Sequence, residues 1–250
     1  MKKLGFLLGI LPVLIIIAAW EIVVRMNLIP GSFFLPAFST VVGEFFNLLR
    51  NGVLVENFLC TLFRVLIGFI TGSLAGFTVG VLMGYSDILN KAFHPVISLL
   101  YPIPALGWLP IFMIWFGIGE SLPILIIFTC SFFPVVYNTA TGIRRVPREF
   151  IQAAQILGAN RWNTLTQVVI PLALPNIFTG FRLEAGMAWR VVIAAEMIAI
   201  PTGIGALLMT AESLIRIDIV IVCLFVLSIM CLLFEQFFLY LEWKLTSKWI

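Results

Sequence analysis

Residues able to do covalent chemistry are few in this chain and badly placed for it. His94 is the only histidine, and Cys60, Cys130, Cys223 and Cys231 each lie in an apolar run without a C-x-x-C pair. A multi-histidine metal site is thereby excluded, and the cysteines read as small hydrophobes inside apolar helices. The sequence has no G-x-x-x-x-G-K-[ST] phosphate loop, so ATP is not hydrolysed here by that route. No catalytic and no metal-binding residue is assigned. What stands out instead is charge in unusual places. Arg182, Glu184, Arg190 and Glu196 share one apolar stretch with Trp189, and residues 144–171 form a long polar insert between two others.

The elements that must position these groups are suited to lipid. The 250 residues are 62% hydrophobic and 11% charged, with a mean hydropathy of +1.13, whereas soluble domains carry about 25% charged residues. Several runs exceed the roughly 20 apolar residues needed to cross a bilayer core, so the chain reads as an all-α, polytopic membrane protein. A net charge of +3 gives no reason to expect nucleic acid. Lys2 and Lys3 before an apolar run resemble a signal peptide. The run is longer than the usual h-region of about 7–15 residues and no small-x-small site follows, which favours a retained first span.

Hydropathy and breakers predict six spans, at residues 4–24, 60–85, 93–116, 122–143, 177–200 and 217–241. Residues 36–50 are amphipathic, with Phe38, Val41, Val42, Phe45, Phe46, Leu48 and Leu49 on one side, and predict a helix lying at the membrane surface. This divides the chain into residues 1–58, a first span with its interfacial helix, and residues 59–245, the main membrane domain. With the N-terminus inside, Lys2, Lys3, Lys91, Arg144, Arg145, Arg148, Arg161, Lys244 and Lys248 are cytoplasmic. The other side has Arg25, Arg50 and Arg216, with Arg64 near a span end. That excess predicts both termini and the polar insert in the cytoplasm.

Gly68, Gly72, Gly76, Gly80 and Gly84 recur every fourth residue and form a groove on one face of the second span. Such a stripe allows close backbone approach, within the subunit or between subunits. The third span holds Pro95, Pro102, Pro104 and Pro110. Each proline removes a backbone donor, and in a bilayer a helix broken this way needs protein or a water-filled route beside it. Pro102, Pro104 and Trp108 are candidates to line a translocation path, with kinked packing as the alternative. A charge at mid-bilayer costs about 2.5–3.5 kcal/mol on insertion scales, so the charges of the fifth span should face protein or water. Glu184 and Arg190 lie about 240° apart around a helix and cannot pair directly. Trp189, Arg190 and Glu196 are read as path-lining or as members of structural ion pairs with other helices, for which Arg64 and Glu235 are possible partners.

The insert is patterned as helices. Pro147 can begin one, Glu149 suits its first turn, and Gly158 can end it in a left-handed cap. Asn160 can cap a second helix starting at Arg161 and running to Pro171, with Pro175 opening the next span. Two short helices joined at a glycine are expected to protrude from the membrane, with Ala153 and Ala154 giving a flat docking face.

These residues carry a resemblance. Gln152-Ala153-Ala154-x₃-Gly158-x₉-Val168-x-Ile170-Pro171 is similar to the EAA loop signature, E-A-A-x₃-G-x₉-I-x-L-P, of bacterial ABC importer permeases. W-F-G-I-G-E at 115–120, F-P at 133–134, L-P-N-I-x-x-G-x-R at 174–182, A-W-x₄-A-A-E at 188–196 and T-G-I-G at 202–205 extend it toward the nitrate/sulfonate/taurine branch. The resemblance implies a type I (MetI-like) importer permease fold in the bacterial inner membrane. It implies a second permease subunit, a homodimer for this branch, with two cytoplasmic ATPases that use ATP and Mg, and an external solute-binding protein. No cofactor is expected on this chain itself. The insert would be the coupling helix, with Glu149, Gln152, Ala153, Ala154, Gly158, Ala159 and Arg161 facing the ATPase. Gln152 departs from the signature glutamate, and Glu149 one turn earlier is a candidate substitute. The branch carries sulfonates, taurine, nitrate or bicarbonate, and members like it carry pyrimidine or riboflavin-type vitamin precursors; Arg190 tilts the expectation toward an anion. An ion-coupled secondary transporter should show internal repeats and paired intramembrane carboxylates, and a membrane enzyme should show a nucleophile or metal cluster. The sequence supplies neither.

Overall fold

The computed structural model describes residues 2–26 and 35–246, with side chains from residue 11 onward. Among these residues the chain is all helical. Helix α1 (Lys2–Arg25) is followed by α2 (Phe38–Arg50), α3 (Val53–Tyr85), α4 (Asp87–Leu100), a 3₁₀ turn (Ala105–Trp108) and α5 (Leu109–Phe116). Then come α6 (Ser121–Arg144), α7 (Arg148–Ile156), α8 (Arg161–Thr164), a π turn (Leu165–Val169), α9 (Ile170–Ala199), α10 (Ile204–Ser213) and α11 (Ile217–Thr246).

Four helical stretches are long and apolar enough to cross a membrane: Val53–Tyr85, Ser121–Arg144, Arg161–Ala199 and Ile217–Thr246. The predicted third span is a broken one, in which α4 and the 3₁₀–α5 segment meet at 89°. The prolines explain the break. Pro102 and Pro104 remove two backbone donors within a single turn, whereas Pro95 is carried inside α4 and Pro110 sits in the first turn of α5, where its donor would be idle. The predicted first span falls on α1, part of whose side chains lie outside the described residues. Helix α2 is the amphipathic helix expected before α3, burying Val41 and Leu48.

The glycine groove settles how α3 packs. A Cβ on Gly68 would meet Ile127 at 2.7 Å, on Gly72 the Phe128 carbonyl oxygen at 2.6 Å, and on Gly84 Ile143 at 2.7 Å. The stripe is therefore filled by α6 of the same subunit, and the two helices run side by side in the same direction. Helix α9 runs back against α6, with Gly180 facing Asn138 and Gly142 facing Asn176. Helix α11 closes the bundle, where Phe234 packs edge-on to Trp189 and Phe69.

One expected boundary is wrong. The second helix of the insert does not stop at Pro171 but runs on without interruption into the span, giving a helix from Arg161 to Ala199. The π turn is the reason. Ile170 N donates to the Leu165 carbonyl, one residue further back than in an α-helix, and this wider turn sits where Pro171 has no donor to offer. Proline here is accommodated within the helix, so it does not end it.

Candidate functional site

The insert projects from one end of the bundle as a single capped helix. Gly158 adopts φ +88°; its N–H donates to the Gln155 carbonyl and the Ala159 N–H to the Ala154 carbonyl, both at 3.0 Å. This pair of bonds is a Schellman stop. The Asn160 side chain then accepts from Asn163 N at 2.7 Å and starts the long helix. Val146 and Ile151 pack on Ile143, Leu165 and Val169, which roots the loop. Tyr85 Oη donates to the Arg161 carbonyl at 3.0 Å, and Arg144 pairs with Asp87 at 2.8 Å, tying it to the ends of α3 and α4. Glu149, Gln152, Ala153, Gly158 and Arg161 are exposed, with Ala154 and Ala159 half-buried. Sequence reasoning missed the apolar tip around them: Ile156 is 85% exposed and Leu157 87%, with Phe150 and Trp162 also open.

At the helix break lies a cavity of about 380 Å³. Pro102 and Pro104 line it from the break, Cys130 and Phe133 from α6, and Glu184 and Met187 from α9. Glu184 is buried, and its single hydrogen bond among the described residues comes from Cys130 Sγ at 3.3 Å. Below the break, Tyr101 stacks on Tyr137 with ring centroids 5.4 Å apart. Tyr137 in turn borders a second cavity of about 260 Å³ with His94, Arg144 and Arg145, at the end of the bundle that carries α7. Trp108 stacks on Phe112 in a separate apolar cleft of about 190 Å³. Arg190 is exposed, and its guanidinium rests 3.7 Å from the sulfur of Met187.

Trp189 and Glu196 are not on an open route. Trp189 stacks on Phe58 inside the core, and Glu196 is fully buried. The reason for the second is an ion-pair cluster at the opposite end of the bundle from α7. Arg64, 1% exposed, donates to Glu196 Oε1 at 2.6 Å and forms a two-bonded fork with Glu120 at 2.7 Å per arm. It also donates to the Thr202 carbonyl and hydroxyl. Glu196 further accepts from Thr61 and from Gly205 N at 3.0 Å, while Ile204 N donates to Thr61. Gly203, at φ +108°, must be glycine, because any Cβ there would run into the Glu196 carboxylate. Every charge of the buried pair is thus met by several donors or acceptors, which is what offsets its desolvation. Glu120 is exposed, and the fork with Arg64 holds its carboxyl below the usual carboxylate range. Three of the motif segments, at 115–120, 188–196 and 202–205, converge on this one arginine. The sequence offered Arg64 only as one possible partner, since the pair is 132 residues apart.

A bundle with parallel α3 and α6, a broken helix beside them and a capped loop at one end is the architecture of the membrane subunit of an ABC importer. A crystal structure of an amino acid ABC transporter shares the fold, with a TM-score of 0.65 at 18% identity over 80% of this chain and 98% of that one. The chain belongs to the family of binding-protein-dependent transport system inner membrane components, whose model matches residues 68–247. It is 40% identical to a putative ABC transporter permease of Methanocaldococcus jannaschii over 82% of this chain and 78% of the relative. It is 32% identical to a putative aliphatic sulfonates transport permease of Bacillus subtilis, over 99% of this chain and 89% of that one. It is a multi-pass membrane protein.

Proposed function

We propose that this chain is the permease half-subunit of an ATP-driven importer for a small polar solute, gripped by a cytoplasmic ATPase through α7 and its flanking loop. The carrying observation is the tip of that loop. A helix closed by glycine on one side and asparagine on the other leaves Ile156, Leu157, Phe150 and Trp162 open while Ile151 is rooted in the core. Apolar side chains held this firmly away from a core are suited to a partner's cleft. Both termini and α7 are then cytoplasmic. The ATP and Mg are used by the partner, two copies of the chain form the channel, and an external binding protein delivers the solute. The path runs down the seam of α4 and α6, from the cavity at the break, past Tyr101 and Tyr137, to the cavity beside Arg144. The sulfonate named for one relative supports an anionic group on the solute, and Arg190 stands near the upper cavity to meet it.

The test replaces Ile156 and Leu157 together by serine. Burying two such side chains stabilises a complex by about 1.5–3 kcal/mol each, so the double variant should lose co-purification with its ATPase and ATP-driven uptake. Its own thermal stability should be unchanged, because both side chains are exposed. ATPase retention and normal uptake would sink the reading.

A further inference from the structure

We propose that the cavity at the helix break is the solute-binding site of this path, and that Glu184 makes it select solutes carrying an ammonium group. The inference rests on the importer reading above and adds to it what the path itself demands of its cargo.

Three features of the cavity point the same way. The first is the carboxyl. Glu184 is 8% exposed and lines the cavity, and a buried polar group needs hydrogen-bond partners. Its one partner is a thiol, a weak donor that cannot satisfy a carboxyl with about four acceptor positions. Arg64, which neutralises Glu196, is shared between it and Glu120, and Arg182 is turned to Glu242 on α11 at 3.5 Å. The carboxyl therefore awaits a donor from within the cavity.

The second feature is backbone. Helix α4 ends at Leu100, and Tyr101 through Ala105 form part of the cavity wall. A helix C-terminus presents carbonyl oxygens and partial negative charge, and Pro102 and Pro104 add no N–H donor to that wall. The third is aromatic. Tyr101 and Phe133 line the same space, and ring faces attract cations. A carboxyl, a helix C-terminus and two rings together favour a positive group and disfavour a bare anion. An anionic group on the same solute would have to lie toward Met187, one turn further along α9 than Glu184, where the Arg190 guanidinium rests on its sulfur.

The test uses dicyclohexylcarbodiimide, an apolar reagent for carboxyls inside membranes, on the purified permease–ATPase complex in lipid nanodiscs. Peptide mass mapping should find the adduct on Glu184 and lose it in Glu184→Gln, while Glu196, sealed by Arg64, stays unlabelled. Two matched pairs of probes then compete: 2-aminoethanesulfonate against 2-hydroxyethanesulfonate, and ethylammonium against acetate. The amine member of each pair should slow labelling about tenfold where its concentration is about ten times its dissociation constant, and its amine-free counterpart should not. No labelling of Glu184, no protection by either amine, or equal protection by the amine-free probes would each overturn the proposal. Failure of the importer reading would show earlier and separately, as a permease that purifies without its ATPase.

Discussion

Arg64→Met separates the energetics of the buried ion pair from its surroundings. The substitution keeps most of the side-chain bulk but leaves Glu196, fully buried, without a countercharge. Thr61 and Gly205 still donate to the carboxylate, which softens the loss without neutralising it. Removing one partner of a buried pair costs about 3–5 kcal/mol. In a chain of this size each kcal/mol is worth about 2–4 °C, so a fall of about 10 °C is expected. The double variant Arg64→Met/Glu196→Gln removes both charges and should recover most of that fall, since an apolar or neutral replacement of a buried pair is often near neutral. Glu120→Gln should cost about 0–1 kcal/mol, because its carboxylate is 65% exposed and screened. A thiol-reactive dye that becomes fluorescent on reaching Cys130 and Cys223, both buried, reports unfolding of the detergent-purified protein directly. If Arg64→Met melts with the wild type, or the double variant is no better than the single, the cluster does not hold the bundle as described.

The glycine groove makes a contrast of sign. Gly72→Ala places a methyl 2.6 Å from the Phe128 carbonyl oxygen, an overpacking worth about 1–3 kcal/mol, whereas Gly43→Ala in α2 meets nothing within 4 Å and should stabilise by about 0.5–1 kcal/mol through helix propensity; melting of the two variants decides. Glu120, held below its ordinary value of 4.5 by Arg64, binds fewer protons folded than unfolded. Its contribution should be fully present above that value and vanish as the pH falls through the folded one, so the melting-temperature difference between the wild type and Glu120→Gln should be largest at neutral pH and disappear only in acid. Glu149→Gln should weaken ATPase association, measured by co-purification, if that carboxylate substitutes for the signature glutamate that Gln152 replaces; intact association would assign the contact to the apolar tip alone.

Features that depend on local backbone chemistry were legible in the sequence. Gly158 and Asn160 declare their caps through their own conformational preferences, and Pro102 with Pro104 declares the break. The periodic glycines announce a close contact but not which helix fills it, because a stripe specifies a shape and any helix can supply the ridge. Pro171 misled because a missing donor ends a helix only where the turn cannot widen, and the π turn depends on how Leu165 and Val169 are anchored in the core. Arg64, Glu120 and Glu196 could not be joined from the sequence, since their meeting depends on the register of three helices. Glu184 was visible as a charge in a span, but the cavity it faces exists only once α4 has bent away from α6.

The uninterrupted helix from Arg161 to Ala199 has a mechanical meaning. At about 1.5 Å per residue its 39 residues form a strut of nearly 60 Å, with the polar loop at one end and Glu196, clamped by Arg64, close to the other. A strut fixed at its far end cannot slide, so a push on the loop must become tilt, twist about its own axis, or a slip of the clamp. The wide turn at Leu165–Val169 lies within its first third, with Leu165 and Val169 packed in the core. A displacement applied at the loop would therefore reach the distant salt bridge as rotation or tilt of one continuous helix.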